Sequence, residues 1–167
     1  SVKNAVITAE GAVAIAMEEL PIALFGSRCL IVGHGRIARA LIRILRGMGA
    51  SVTVAARSYG SLAEIEAEGC RAVRTDALKT SVKAADVVIN TVPARMLTEP
   101  VLSALKHDAL VIDLASRPGG VDLAAAGRLG VKTIWALSLP GKTAPITAGE
   151  IILHTIENCL SELEEAG

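Results

Sequence analysis

Gly33-His34-Gly35-Arg36-Ile37-Ala38 joins an apolar run, Cys29-Leu30-Ile31-Val32, to a stretch of helical periodicity from Arg36 to Met48. A glycine turn between a buried strand and a helix can hold an anion. Gly33 can adopt the angles of the turn, Gly35 lets the chain approach a phosphate, and small Ala38 lets helix and strand pack closely. The helix start adds unpaired N–H groups and a partial positive charge. With a second apolar strand at Ser51 to Ala56, this G-x-G-x-x-A loop predicts a dinucleotide pyrophosphate site. The alternative is a tight turn with a purely structural role.

The end of the second strand bears on which dinucleotide. A carboxylate there would accept hydrogen bonds from the adenosine ribose and mark NAD. The chain has Ala55-Ala56-Arg57-Ser58 instead. A guanidinium cannot accept a hydrogen bond but can grip a 2′-phosphate, with the Ser58 hydroxyl as a further donor. His34 and Arg36 are expected along the same edge. NADP is therefore favoured and NAD is the alternative, with Arg57 then a solvated cation stacking on adenine.

Asn90-Thr91-Val92-Pro93-Ala94 and Asp113-Leu114-Ala115-Ser116-Arg117-Pro118-Gly119-Gly120-Val121-Asp122 follow two later apolar runs. Both fall at strand carboxyl ends, where nicotinamide and substrate would meet. Thr91, Val92 and Pro93 are expected as a cofactor wall, joined by Ala115 and Ser116. These small residues and prolines are equally compatible with turn punctuation. Gly33, His34, Gly35, Arg36, Ile37, Arg57 and Ser58 complete the predicted cofactor set. In Leu139-Pro140-Gly141-Lys142-Thr143-Ala144-Pro145-Ile146-Thr147-Ala148-Gly149, Lys142 could bind a substrate carboxylate or stand as an exposed loop lysine. Thr147 could cap the following helix.

These residues must be carried by an α/β frame. Apolar runs near 29 to 33, 51 to 56, 71 to 74, 86 to 90, 109 to 113 and 131 to 135 alternate with helical or turn segments. Six such runs predict one doubly wound parallel Rossmann sheet in the order 3-2-1-4-5-6, with helices on both faces. A helix is expected from Ala5 to Leu24, with Pro21 as a break or bend. Another, from Thr147 to Glu165, has Ile151, Ile152, Ile156, Leu160 and Leu163 along one side; that side either packs on this domain or forms a homodimer interface.

Composition agrees. Half of the 167 residues are hydrophobic but only three are aromatic, so the core must be aliphatic, as between a parallel sheet and its helices. Seventeen basic residues balance seventeen acidic ones, leaving no net field to attract nucleic acid or an anionic membrane. Cys29, Cys70 and Cys159 form no C-x-x-C or Cys/His cluster, and no grouping has metal-ligand spacing, so no metal is expected. Glu10, Glu18 and Glu19 interrupt the apolar N-terminal stretch, which excludes a signal peptide there and predicts a cytoplasmic protein.

Arg117 to Asp122 resembles the latter part of the N-x-x-R-G-x-x-V-D pattern of the D-2-hydroxyacid dehydrogenases. That family's general base is a histidine in a T-P-H segment after the next strand. The chain has Pro140-Gly141-Lys142 there, so a hydroxyacid would lack its usual base.

A second resemblance covers nearly the whole chain. Asn4 to Ala12, Val32-Gly33-His34-Gly35-Arg36, Ala56-Arg57-Ser58, Ile112 to Ser116 with Pro118-Gly119-Gly120, and Leu139-Pro140-Gly141-Lys142 with Ala144-Pro145 and Thr147-Ala148-Gly149 together resemble the dipicolinate synthase A subunits. The resemblance implies that residues 1–167 are the dinucleotide-binding half of a longer polypeptide, without the N-terminal substrate domain that normally precedes it. It implies an NADP-linked oxidoreductase that forms dipicolinate from a dihydro- or hydroxytetrahydrodipicolinate precursor during sporulation, in the mother cell. A flavoprotein-like B subunit of dipicolinate synthase is the implied partner. On that reading Arg117 and Lys142 are the candidate cations for a dicarboxylate. Thr8 and Glu10 are candidates for substrate binding or proton relay, or else first-turn residues suited to the helix dipole. The other readings are a hydroxyacid dehydrogenase-like cofactor domain and a noncatalytic nucleotide-binding module that controls partner assembly.

Overall fold

The computed structural model describes residues 2–136. Lys142, Thr147, Cys159 and the helix expected at 147 to 165 lie outside the described residues. Six strands, β1 (Arg28–Val32), β2 (Ser51–Ala56), β3 (Arg71–Arg74), β4 (Val87–Asn90), β5 (Leu110–Asp113) and β6 (Lys132–Trp135), form one sheet in the order β3-β2-β1-β4-β5-β6. Every pairing is parallel. This is the predicted Rossmann arrangement, with strand boundaries within about a residue of those expected.

Successive strand side chains point to opposite faces and so feed two cores. Cys29, Ile31, Val54, Ile89 and Ile112 pack under α1 (Val2–Glu19), α2 (Arg36–Gly47) and α3 (Tyr59–Ala67). Leu30, Val32, Ala55, Val88 and Val111 pack under α4 (Leu78–Ser81), α5 (Glu99–Leu102) and α6 (Leu123–Leu129). Ala9, Ala12 and Ala16 are fully buried on α1, and their small size lets it lie close to α2.

The first helix differs from the expected span. It begins at Val2 and ends at Glu19, so Pro21 lies beyond the helix instead of bending it. Proline disfavours helical angles in the residue before it, which here is Leu20. The early start also removes Thr8 and Glu10 from the first turn.

At the amino end of the strands, Asp86 accepts from the Arg28 N–H at 2.7 Å and from Lys106 Nζ at 2.5 Å. Burial pushes its carboxyl pKa up, but these donors and the Lys106 charge outweigh burial and hold it below the ordinary value. Cys29 and Cys70 are free and buried, and burial raises both thiol pKa values, which suits packing groups. Among the described residues no helix is long and apolar enough to cross a membrane.

Candidate cofactor site

At the carboxyl end of β1 the chain leaves the sheet through Gly33, whose φ is 102°. A β-carbon there would be strained and would collide with the Thr91 hydroxyl and the Val92 side chain. The turn is stitched to both neighbouring strands. Gly33 N–H donates to Ala55 O at 2.8 Å, while the Thr91 N–H and hydroxyl donate to Val32 O at 3.0 and 2.8 Å. Gly35 then caps α2 in an extended conformation, with no side-chain acceptor for the first N–H groups among the described residues. Among the described residues a β-carbon at Gly35 would meet no atom within 4 Å, so none of them fills the cradle in front of the helix start.

This loop floors a cleft of about 470 Å³. Thr91, Val92 and Pro93 form one wall, and Asn4, Ala5 and Thr8 of α1 form another. The cleft sits beside β1 and β4, where the strand order reverses and open α/β sheets bind ligands. Together the open cradle, the unpaired helix start and the switch point fit a nicotinamide dinucleotide. His34, Arg36 and Ile37 line the cleft as well.

His34 lines the cleft, with its imidazole packed against α3. Its side chain is only 2% exposed and faces α3, with Nε2 3.4 Å from Glu68 Oε1 and Nδ1 3.9 Å from Glu64 Oε2. Arg39 pairs with the same Glu64. The imidazole thus ties the glycine loop to α3. Its Nδ1 has no hydrogen-bond partner among the described residues.

Arg57 is exposed at the end of β2, with no ion-pair partner among the described residues. The Ser58 hydroxyl accepts from the Ser61 N–H at 3.2 Å and donates to Ser61 Oγ at 2.9 Å, so it caps α3. Its proton is already engaged, which differs from its expected role as a free phosphate donor.

Behind the other wall lies a network of residues far apart in sequence. Asn90 Nδ2 donates to Asp113 Oδ1 at 3.0 Å and to Val92 O at 2.9 Å, and its Oδ1 accepts from the Val92 N–H. Asp113 also accepts from the Ala115 and Gly120 N–H groups at 3.1 and 2.8 Å. The two residues are 0% and 1% exposed. A β-carbon on Gly120 would collide with the Asn90 amide and the Val92 carbonyl. Together these contacts hold the β4 and β5 loops in register.

Of the remaining predicted residues, Ala115 is buried and Ser116 exposed in the β5 loop, and neither lines the cleft. Arg117 is exposed, with its guanidinium 5.5 Å from the Trp135 ring centroid and outside the cleft lining. Glu10 is exposed and also outside the lining, whereas Thr8 is within it. Sequence reasoning passed over Asn4, which the four-residue spacing to Thr8 places on the same helix face. It also passed over the Asn90–Asp113 tie, which only the strand register Asn90↔Asp113 brings together.

Residues 8–126 match the D-isomer specific 2-hydroxyacid dehydrogenase, NAD binding domain family. The chain is 38% identical over 164 residues to the A subunit of dipicolinate synthase from Bacillus subtilis, covering 98% of this chain and 55% of that protein. The crystal structure of the dipicolinate synthase A chain from Bacillus subtilis superposes with a TM-score of 0.95 at 37% identity, covering 99% of this chain and 56% of that one. Shikimate dehydrogenase (NADP(+)) of Methanocella arvoryzae is 34% identical over 120 residues, or 66% of this chain and 45% of that protein. The chain therefore spans about half the length of these relatives.

Proposed function

The chain belongs to the D-isomer specific 2-hydroxyacid dehydrogenase, NAD binding domain family, and from that premise we propose that it is the NADP-binding part of a dipicolinate synthase A subunit. The observation that carries this reading is the similarity to that protein over 98% of the chain. Arg57 favours NADP, since an exposed guanidinium at the end of β2 suits a 2′-phosphate better than a ribose hydroxyl. One similar protein, the shikimate dehydrogenase, carries NADP(+) in its name.

The substrate would be a dihydro- or hydroxytetrahydrodipicolinate precursor. Aromatisation of a dihydro ring releases one hydride and one proton, and a nicotinamide held at this cleft would supply the hydride acceptor. Asn4 and Thr8 would border the substrate side of the cleft. Arg117 and Lys142 would hold the two carboxylates, with Arg117 leaving the Trp135 face to do so. Glu10 would enter only through a partner surface, because it stands outside the cleft lining. The B subunit as partner, a spore-forming mother cell and cytoplasmic residence belong to the same proposal. The family membership favours a second reading with a 2-hydroxyacid substrate, against which stands Pro140-Gly141-Lys142 in place of the T-P-H base.

Fluorescence titration with NADPH and NADH, repeated on Arg57→Ala, tests the cofactor. The reading expects tighter NADPH binding that Arg57→Ala removes. Equal binding of both, or of neither, rejects the NADP assignment. Oxidation of the dihydro precursor by the two-domain protein together with its B subunit tests the reaction.

A further inference from the structure

Tyr59 is 81% exposed, more than any other large apolar or aromatic side chain among the described residues, and it stands two residues after Arg57. Ser58 caps α3 and so fixes Tyr59 as the first helical residue, at the mouth of the β2 loop. The neighbouring strand end supplies a second cation. Ala56 pairs with Arg74 in the β2–β3 register, which puts Arg74 level with the residue before Arg57, one strand over. The Arg74 guanidinium carbon lies 5.4 Å from the Tyr59 ring centroid, within cation–π range. Its Nε is 3.3 Å from Asp76 Oδ2.

Arg74 is therefore held on two sides. The ring takes one face and Asp76 takes Nε, while its terminal Nη donors have no partner among the described residues. A long side chain at a strand end loses rotamer entropy when it must grip a ligand, and this support removes part of that cost. Charge points the same way. A phosphomonoester carries about −1.5 to −2 at neutral pH, more than one guanidinium neutralises. Asp76, the carboxylate of this corner, is already committed to Arg74 and so is not offered to a ribose hydroxyl.

Resting on the NADP reading above, we infer that Arg74 is a second 2′-phosphate ligand that discriminates NADP from NAD, and that Tyr59 is the residue that positions it. Arg57 and Arg74 grip the phosphate from adjacent strand ends. Tyr59 makes no demand on the nucleotide itself; it keeps the Arg74 fork turned towards α3.

The test is calorimetric titration of the chain with 2′,5′-ADP, which carries the 2′-phosphate, and with 5′-AMP, which does not. Arg74→Ala is expected to weaken 2′,5′-ADP about tenfold and to leave 5′-AMP within about twofold. Tyr59→Leu is expected to lose part of the same discrimination, and Tyr59→Phe, which keeps the ring, to retain it. If Arg57→Ala abolishes the discrimination while Arg74→Ala leaves it intact, the NADP reading stands and this inference is wrong. If Tyr59→Phe and Tyr59→Leu behave alike, the positioning role of Tyr59 is wrong. If the unmodified chain binds both nucleotides equally, the NADP reading itself falls and the inference falls with it.

Discussion

Asn90 and Asp113 lie at 0% and 1% exposure behind the β4 and β5 loops, whereas Arg57, Tyr59 and Arg74 stand in solvent at the ends of β2 and β3. The two groups are under different physical constraints. The buried pair gains its strength from low dielectric and full hydrogen bonding, and any unpaired member would be costly. The exposed trio contributes little to folding, because charges in water are screened and their pairs weak. One side is thus free to set ligand preference, and the other must first hold the fold.

The sharpest test of that contrast is Asp113→Ala. It strips the acceptor from the Asn90 amide and from the Ala115 and Gly120 N–H groups, leaving buried donors unpaired. A loss of about 3 kcal/mol is expected in urea unfolding. A loss below about 1 kcal/mol would mean that the β4 and β5 loops do not depend on this carboxylate. Gly120→Ala comes next. Its β-carbon must displace the Asn90 amide or the Val92 carbonyl, and overpacking of this kind costs about 1–3 kcal/mol, read from the same unfolding curves.

Asp86→Asn probes the far end of the sheet and should leave cofactor binding untouched. Its donors are the Arg28 N–H and Lys106, so about 1–2 kcal/mol of stability is expected to go. The pH dependence has a definite sign. The folded carboxyl is held below its ordinary value, so its contribution is complete above the unfolded pKa and vanishes as pH falls through the folded one. The variant should therefore show a shallower loss of stability in acid than the parent, read from unfolding midpoints across that range. An unchanged acid slope would remove Asp86 from the account.

Arg57→Ala should have the smallest effect on folding, within about 0.5 kcal/mol, while weakening NADPH about tenfold. A large fall in melting temperature would erase the distinction between the two sides.

How much of this was legible in the sequence depended on range. The sheet order and both ends of β2 followed from apolar runs of about four to six residues, because burial on both faces of a parallel sheet leaves such runs unmistakable. The glycine loop was legible because its constraint is local, within Gly33 to Ala38. The loop alone does not show that Glu64 and Glu68 on α3 will hold the His34 imidazole. Ser58 read as a phosphate donor, but a helix N-cap and a ligand contact use the same residue types. The Asn90–Asp113 tie and the Tyr59–Arg74 contact join residues 23 and 15 positions apart through strand register. No periodicity within one segment reveals such pairs.

The central claim is that a nicotinamide dinucleotide binds with its pyrophosphate on the glycine loop beside β1 and β4. Backbone amide shifts followed by NMR during an NADP⁺ titration test it most directly. Saturable shifts at Gly35, Arg36, Ile37 and Thr91, with Arg57 following the same isotherm and α6 unmoved, are the predicted result. Saturable shifts confined to residues away from this cleft, or none at all, would contradict it.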